Sequence, residues 1–142
     1  MKTLLSLILF LPFFVKSCSD TTSDEKDLSA QKWELVKMTG SMANSEKSGE
    51  EMEWQEYYLL NEDQTFEKYR ERNNNTKQAS GTYKYTTAGE EKYLVLTYTK
   101  GLDLIGNCTG DNKEQLLVQS DQSLSGTWNA CDGPGLEYKK VN

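Results

Sequence analysis

The residues of this chain that could support acid–base chemistry are mainly carboxylates, and they lie where solvation explains them. The chain has no histidine, which removes the commonest general base, the usual nucleophile–base pairs and the usual zinc ligands. Paired carboxylates remain: Glu50 and Glu51 lie in a polar stretch, and Glu62 and Asp63 lie in a predicted turn. Solvated surface explains these carboxylates better than acid–base catalysis does. We therefore expect no catalytic residue, no metal site and no cofactor.

The first cysteine follows a segment with the features of an export signal. Lys2 precedes a short apolar run from Leu4 to Val15, and the small residue Ser17 stands directly before Cys18. This pattern is typical of a secretory signal, and the run is shorter than the ~20 apolar residues that span a bilayer. The small residue followed by cysteine resembles a bacterial lipoprotein signal, which implies lipidation of Cys18. Ordinary secretion with cleavage near Ser17 is the alternative.

Two cysteines, Cys108 and Cys131, remain after Cys18. In an oxidising compartment we expect Cys108 and Cys131 to form a disulfide. Closing a loop of that length stabilises a fold by about 3 kcal/mol in the chain-entropy model. Two free thiols are the alternative.

Charge limits the partners of the mature chain. The formal net charge of −6 becomes −8 without residues 1–17, which carry two lysines and no acid. An acidic chain repels phosphate backbones, so nucleic acid is not an expected partner. The sequence shows no cationic patch for anionic lipid, since Arg70/Arg72 and Lys139/Lys140 are isolated basic pairs. We expect a monomer whose contact with the membrane is the N-terminal lipid.

The chain divides into three parts: a signal peptide (1–17), an acidic tether (18–30) and one domain (31–142). The tether is rich in Ser, Thr and acidic residues, which favours a flexible segment. Asp20, Asp24, Glu25 and Asp27 follow the cysteine and resemble an export signal for the cell surface in lipoproteins of Bacteroidota; a solvated spacer is the alternative. The cell envelope, with an anchor in either leaflet of the outer membrane, is the expected location.

The domain is predicted to be all-β. Short segments with apolar and polar residues in alternation are separated by turn residues. The predicted strands are Lys32–Met38, Trp54–Leu60, Thr65–Arg72, Lys77–Thr86, Glu91–Tyr98, Glu114–Gln119, Ser123–Asn129 and Gly135–Val141. Short loops favour sequential antiparallel pairing, and eight such strands can close into a small up-and-down barrel.

Two stretches are less strand-like. Residues 39–52 are polar and are predicted to form a loop or a short helix over one end, and residues 100–111 to form a glycine-rich loop held by Cys108. Ser80-Gly81-Thr82-Tyr83 recurs as Ser125-Gly126-Thr127-Trp128. In a small barrel, a glycine at such a position lets a ring pack close to the backbone.

The domain resembles the lipocalin-like lipoproteins of Bacteroidota over about residues 28–142. The resemblance rests on Trp33-Glu34-Leu35 in the first strand, on a hairpin from Tyr58 to Phe66, and on Ser80-Gly81-Thr82-Tyr83. It implies an eight-stranded calyx for an apolar or amphipathic ligand. The chain departs from lipocalins at Gln31, where glycine is usual, and in its lack of a late arginine that stacks on the first-strand tryptophan.

The barrel interior is the predicted ligand site. Strand alternation places nine side chains on the inward face: Trp54, Tyr58, Leu60, Phe66, Tyr83, Tyr85, Leu94, Leu96 and Trp128. An eight-stranded barrel either is filled by its side chains or holds one small ligand. The first hypothesis is a lipid-anchored, non-catalytic protein that binds a small hydrophobic or amphipathic ligand inside the barrel. The second is a filled barrel that binds a protein or glycan through its acidic exterior and residues 39–52.

Overall fold

The computed structural model describes residues 30–141. The predicted signal peptide, Cys18 and all but the last residue of the predicted tether lie outside the described residues. The strands are β1 (Gln31–Thr39), β2 (Glu46–Ser48), β3 (Gln55–Leu60), β4 (Thr65–Arg72), β5 (Asn75–Ala88), β6 (Glu91–Lys100), β7 (Lys113–Ser120), β8 (Ser123–Gly126) and β9 (Gly135–Val141). Three single turns of 3₁₀-helix cover Gly49–Glu51, Leu102–Leu104 and Trp128–Cys131.

Eight strands close into an antiparallel up-and-down barrel, which confirms the predicted fold class. Beginning at β3, each strand pairs with the next, and β1 pairs with both β3 and β9 to close the sheet. β2 is an additional short strand, which pairs with the end of β1 at residues 37–39. Closure leaves little exposed sheet edge, which protects a small all-β domain from pairing with other chains.

The two ends of the barrel differ in loop length. We call one end the mouth; it carries the connections 40–54, 73–74, 101–112 and 127–134. The opposite end, the base, carries the tight turns 61–64, 89–90 and 121–122. The chain enters β1 and leaves β9 at the base, where Lys32 pairs with Val141. The predicted anchor therefore precedes the base, and the long loops lie at the far end.

Strand alternation produces the core as the sequence predicts. Inward positions on β3 and β4 are buried in the order Glu56, Tyr58 and Leu60 and then Phe66 and Lys68, while the residues between them are partly exposed. The other buried side chains of the core are Trp33, Leu35, Met38, Met52, Trp54, Ala79, Leu94, Leu96, Tyr98, Leu104, Glu114, Leu116, Leu124, Leu136 and Tyr138. Since these side chains come from all eight barrel strands and the mouth loops, one core holds the domain together.

Two local features explain the geometry of the central strands. Asn73 and Asn74 have φ values of 53° and 58°, which form the two-residue turn that suits the twist of a β-hairpin. The register shifts between Ser80 and Gly81, and a Cβ atom at Gly81 would lie 2.9 Å from the Phe66 ring and 1.9 Å from the Thr97 carbonyl oxygen. Only glycine fits there, as the Ser-Gly-Thr-Tyr pattern suggests.

Two parts of the prediction need correction. Trp128 is not on a strand, because β8 ends at Gly126 and Trp128 begins a 3₁₀ turn. Residues 39–52 contain a short strand, β2, that the sequence does not predict, together with a 3₁₀ turn that agrees with the short-helix alternative. Within residues 30–141, no helix has the length and apolar character needed to cross a membrane.

Candidate functional site

Six of the nine predicted lining residues lie together in the barrel core. They are Trp54, Tyr58, Leu60, Phe66, Leu94 and Leu96, with relative exposures between 0% and 7%. Their rings and branches pack against one another and against neighbouring strands; the Phe66 and Tyr98 rings, for example, meet edge to face at 4.9 Å. Five of these side chains fill the interior of the barrel rather than line an open space, and Trp54 lies at the mouth, where it also borders a surface cleft.

The other three predicted lining residues, Tyr83, Tyr85 and Trp128, lie outside the buried centre of the barrel. Tyr83 is half-buried near the base, and its hydroxyl donates to the Asn61 carbonyl oxygen at 2.8 Å. Tyr85 is 43% exposed, with the Lys92 ammonium 4.5 Å from its ring centroid. Trp128 lies at the mouth. The nine residues therefore do not surround one common cavity.

The mouth half of the interior holds a buried network of charges. Lys68 is fully buried, and its ammonium lies 3.2 Å from Glu56 Oε1 and 3.0 Å from Glu114 Oε2. Glu56 also accepts from Arg70 Nε and, at 2.7 Å, from the Tyr138 hydroxyl. Two carboxylates and two cations balance within the core, so the pairing compensates for the cost of burying each charge.

Aromatic side chains complete the network. The Tyr98 hydroxyl donates to Glu114 Oε2, and the Lys68 ammonium lies 4.9 Å from the Tyr58 ring centroid. Burial, with the nearby carboxylate of Glu114, raises the pKa of Tyr58 and of Tyr98 well above the usual value. Both tyrosines therefore stay neutral at physiological pH; Tyr98 acts as a hydrogen-bond donor to Glu114, and Tyr58 offers its ring to Lys68.

Opposing effects set the protonation of Glu56. Burial alone would raise its pKa, but the charges of Lys68 and Arg70 outweigh burial and lower the pKa below its usual value. The carboxylate is therefore ionised at neutral pH. Because both of its cations are already in contact with it, Glu56 is a structural group rather than a proton donor.

The 3₁₀ turn Leu102–Leu104 closes the mouth of the barrel over this network. Leu104, in the 3₁₀ turn after β6, is 2% exposed, and its carbonyl oxygen accepts from Lys68 Nζ at 2.8 Å and from Arg70 Nη2 at 3.4 Å. The Arg70 guanidinium also lies 4.6 Å from the centre of the Trp54 ring. Leu104 and Trp54 thus cover the network, and Arg70 lies at its edge, where it also borders the surface.

The disulfide fixes the second half of this closure. Cys108 and Cys131 are bonded, as predicted, and join the 101–112 loop to the 127–134 loop. The Trp128 ring fills the space between them: a Cβ atom at Gly106 would lie 2.9 Å from it, and one at Gly133 would lie 2.3 Å away. Larger side chains at these glycines would displace the ring.

Two surface clefts lie beside the tip of the β4–β5 hairpin at the mouth. One has a volume of about 280 Å³ and is lined by Arg70, Arg72, Asn73, Asn75, Lys77, Asp103 and Leu104. The other has a volume of about 660 Å³ and lies between this tip and residues 49–55, with Trp54 and Glu53 in its wall. Arg72 and Asn73 border both clefts. Polar and charged groups dominate the mouth, unlike the aromatic calyx expected from the sequence.

Strand alternation in the sequence predicts part of the charge network. Lys68 and Arg70 share the inward phase of Phe66 on β4, which already places two cations inside the barrel. The position of Glu114 opposite Leu96 on β6, however, depends on strand register. Among residues 30–141, no group of three or more histidine, cysteine, aspartate or glutamate side chains is placed to hold a metal ion.

Comparison with protein-family models, with curated proteins and with solved structures gives no match for this chain. The fold alone does not imply a function, so the residues of the site must indicate it.

Proposed function

We propose that the protein is a lipid-anchored, non-catalytic binding module, and that its filled barrel presents the mouth loops to a soluble or surface-bound partner. The observation that carries this proposal is the filled interior. Where a calyx would hold a ligand, the barrel contains packed aromatic side chains and a charge-balanced network around Lys68. A purely apolar molecule at that position would have to displace paired charges, which is costly.

The distribution of loops supports the same proposal. The long connections lie together at the mouth, and the base carries tight turns. A rigid scaffold with its variable loops at one end is a common arrangement for recognition. Lipidation at Cys18, a proposal from the sequence, would place the base toward an outer-membrane leaflet and the mouth away from it. Electrospray mass spectrometry of the intact protein tests this anchor by its acyl mass, which should be lost in Cys18→Ser.

Two measurements test the binding proposal. In native mass spectrometry of the full-length protein from its own host, we expect no apolar molecule that leaves on denaturation. We also expect no saturable quenching of tryptophan fluorescence by fatty acids or sterol-like probes. A bound apolar molecule, or saturable quenching, would overturn the filled-barrel proposal in favour of an internal calyx.

The partner-binding surface is tested by a matched pair of charge reversals. Glu50 is exposed at the mouth and Glu90 is exposed in a turn at the base. On an array of bacterial and host glycans, we expect Glu50→Lys to change the binding profile and Glu90→Lys to leave it unchanged. Equal effects of the two variants would contradict recognition through the mouth.

A further inference from the structure

The two arginines of the chain lie in one cleft. Arg70 and Arg72 are the only arginines in the sequence, and both line the smaller mouth cleft, together with Lys77. The sequence suggested isolated basic pairs, but strand pairing brings a third cation from β5 to the pair on β4. Arginine presents a planar fork of donors that matches the oxygens of carboxylate and phosphate groups.

The placement of these cations is unfavourable for the sheet itself. Arg70 and Lys77 are direct partners in the β4–β5 ladder, and Arg72 is opposite Asn75. Like charges directly opposite each other destabilise an antiparallel pair. Local conflicts of this kind are expected where residues serve binding rather than stability.

One of the cations is held rigidly with donors left over. Arg70 uses its Nε for the buried carboxylate of Glu56, and its guanidinium lies on the Trp54 ring. Its Nη2 makes one long contact, at 3.4 Å, with the Leu104 carbonyl oxygen. A guanidinium fixed on two sides and bordering a cleft is preorganised, so an anion that binds it has little conformational entropy to remove.

The other two cations are held by exchangeable partners. Arg72 pairs with Glu53 at 3.2 Å and Lys77 pairs with Asp103 at 2.6 Å, and all four side chains are more than half exposed. Exposed ion pairs of this kind contribute little to stability. A ligand oxyanion can therefore take the place of Glu53 or Asp103 at small cost.

We propose that the Arg70–Arg72–Lys77 cleft binds the oxyanion group, a carboxylate or a phosphate, of a small polar ligand. Its volume of about 280 Å³ lies at the lower end of the range for small-molecule sites, which suits one sugar-sized unit. The asparagine amides that border the cleft supply neutral donors and acceptors for the rest of such a ligand. This inference rests on the proposed function, because it names a ligand chemistry for the mouth.

The test uses three probes with the full-length protein: glucuronate, inorganic phosphate and uncharged glucose. Because Arg70 and Arg72 both lie near the Trp54 ring, binding should change tryptophan fluorescence, and calorimetry gives an independent isotherm. We expect saturable binding of at least one of the two anions that weakens as NaCl rises, and no binding of glucose. Saturable binding of glucuronate alone would identify a carboxylate ligand, and saturable binding of phosphate alone would identify a phosphate ligand.

The matched variants are Lys77→Gln and Lys84→Gln. Both lysines are exposed on β5, but Lys77 borders the cleft and Lys84 does not. We expect Lys77→Gln and Arg72→Gln to weaken anion binding at least tenfold with unchanged thermal midpoints, and Lys84→Gln to bind as the wild type does. Absence of anion binding, equal effects at the two lysines, or equal binding of glucose would overturn the inference. If anion binding is absent but Glu50→Lys still changes the glycan-binding profile, the proposed recognition through the mouth stands without the anion site.

Discussion

Replacement of Lys68 by methionine should cost far more stability than the loss of one ion pair on the surface. The ammonium is fully buried between Glu56 and Glu114, at 3.2 and 3.0 Å. Methionine preserves most of the side-chain volume but leaves two buried carboxylates with one cation, Arg70. Removal of one partner of a buried pair costs about 3–5 kcal/mol. For a domain of this size that corresponds to a fall in Tm of roughly 12–20 °C.

A second substitution distinguishes charge balance from packing. In Lys68→Met/Glu114→Gln the network retains the Glu56–Arg70 pair, and a glutamine oxygen can still accept from Tyr98. We expect the double variant to regain at least about 2 kcal/mol relative to Lys68→Met, a coupling typical of residues in direct contact.

Urea unfolding, followed by tryptophan fluorescence at pH 7 and pH 5, measures both effects. The single variant should be relatively less unstable at pH 5, since a buried carboxylate without its cation takes up a proton more readily. Lys84→Met, on the outer face of β5, is the control and should change stability by less than about 0.5 kcal/mol. If Lys68→Met is as stable as the wild type, or if the double variant is no more stable than the single one, the charge-balance argument is wrong.

Three further predictions follow from the fold. Gly81→Ala should destabilise by about 2–3 kcal/mol, because a Cβ atom there would lie 1.9 Å from the Thr97 carbonyl oxygen; chemical denaturation measures the loss. Reduction of the Cys108–Cys131 disulfide should cost about 3 kcal/mol, seen as a lower urea midpoint with dithiothreitol. The lowered pKa of Glu56 stabilises the fold above the ordinary glutamate pKa and this contribution is lost as pH falls through the folded-state value; urea midpoints from pH 6 to pH 3 measure it.

Each of these has a matched comparison. Gly126→Ala should cost less than about 1 kcal/mol, since the nearest atom to its Cβ would be 3.4 Å away. A Cys108→Ser/Cys131→Ser variant should show no response to reductant. Glu56→Gln should have a flatter acid profile than the wild type. An alanine at Gly81 that is tolerated as well as one at Gly126 would contradict the strand contact, and parallel acid profiles would contradict the role given to Glu56.

Much of the scaffold could be predicted because it depends on local patterns. The bounds of β4 and β9 match the predicted Thr65–Arg72 and Gly135–Val141, since strong alternation ends at turn residues on both sides. The Cys108–Cys131 disulfide agrees with the prediction from the cysteine count and an expected oxidising compartment. Trp128 was misplaced because its strand-like neighbours continue the alternation, whereas packing between Gly106 and Gly133 holds it in a 3₁₀ turn.

The site was harder to predict because it depends on register across several strands. Arg70 and Lys77 are opposite each other across the two-residue turn at Asn73 and Asn74, but Asp103 comes from the 3₁₀ turn after β6, and no spacing in the sequence brings it to them. The same holds for Glu56 and Glu114, which are far apart in the chain and meet only through Lys68. Alternation predicts which face of a strand a side chain occupies. It does not predict which side chains from different strands lie at the same level along the barrel axis.

The buried lysine should also disfavour a shifted register of β4 during folding. A slip of β4 by one residue would turn Lys68 outward and place Glu67 and Tyr69 inside, because side chains alternate between the two faces of a strand. Glu56 and Glu114 would then be sealed in the core without their shared cation. An all-apolar interior would tolerate such a slip more readily. The buried charges therefore destabilise the shifted pairing by more than they stabilise the native pairing.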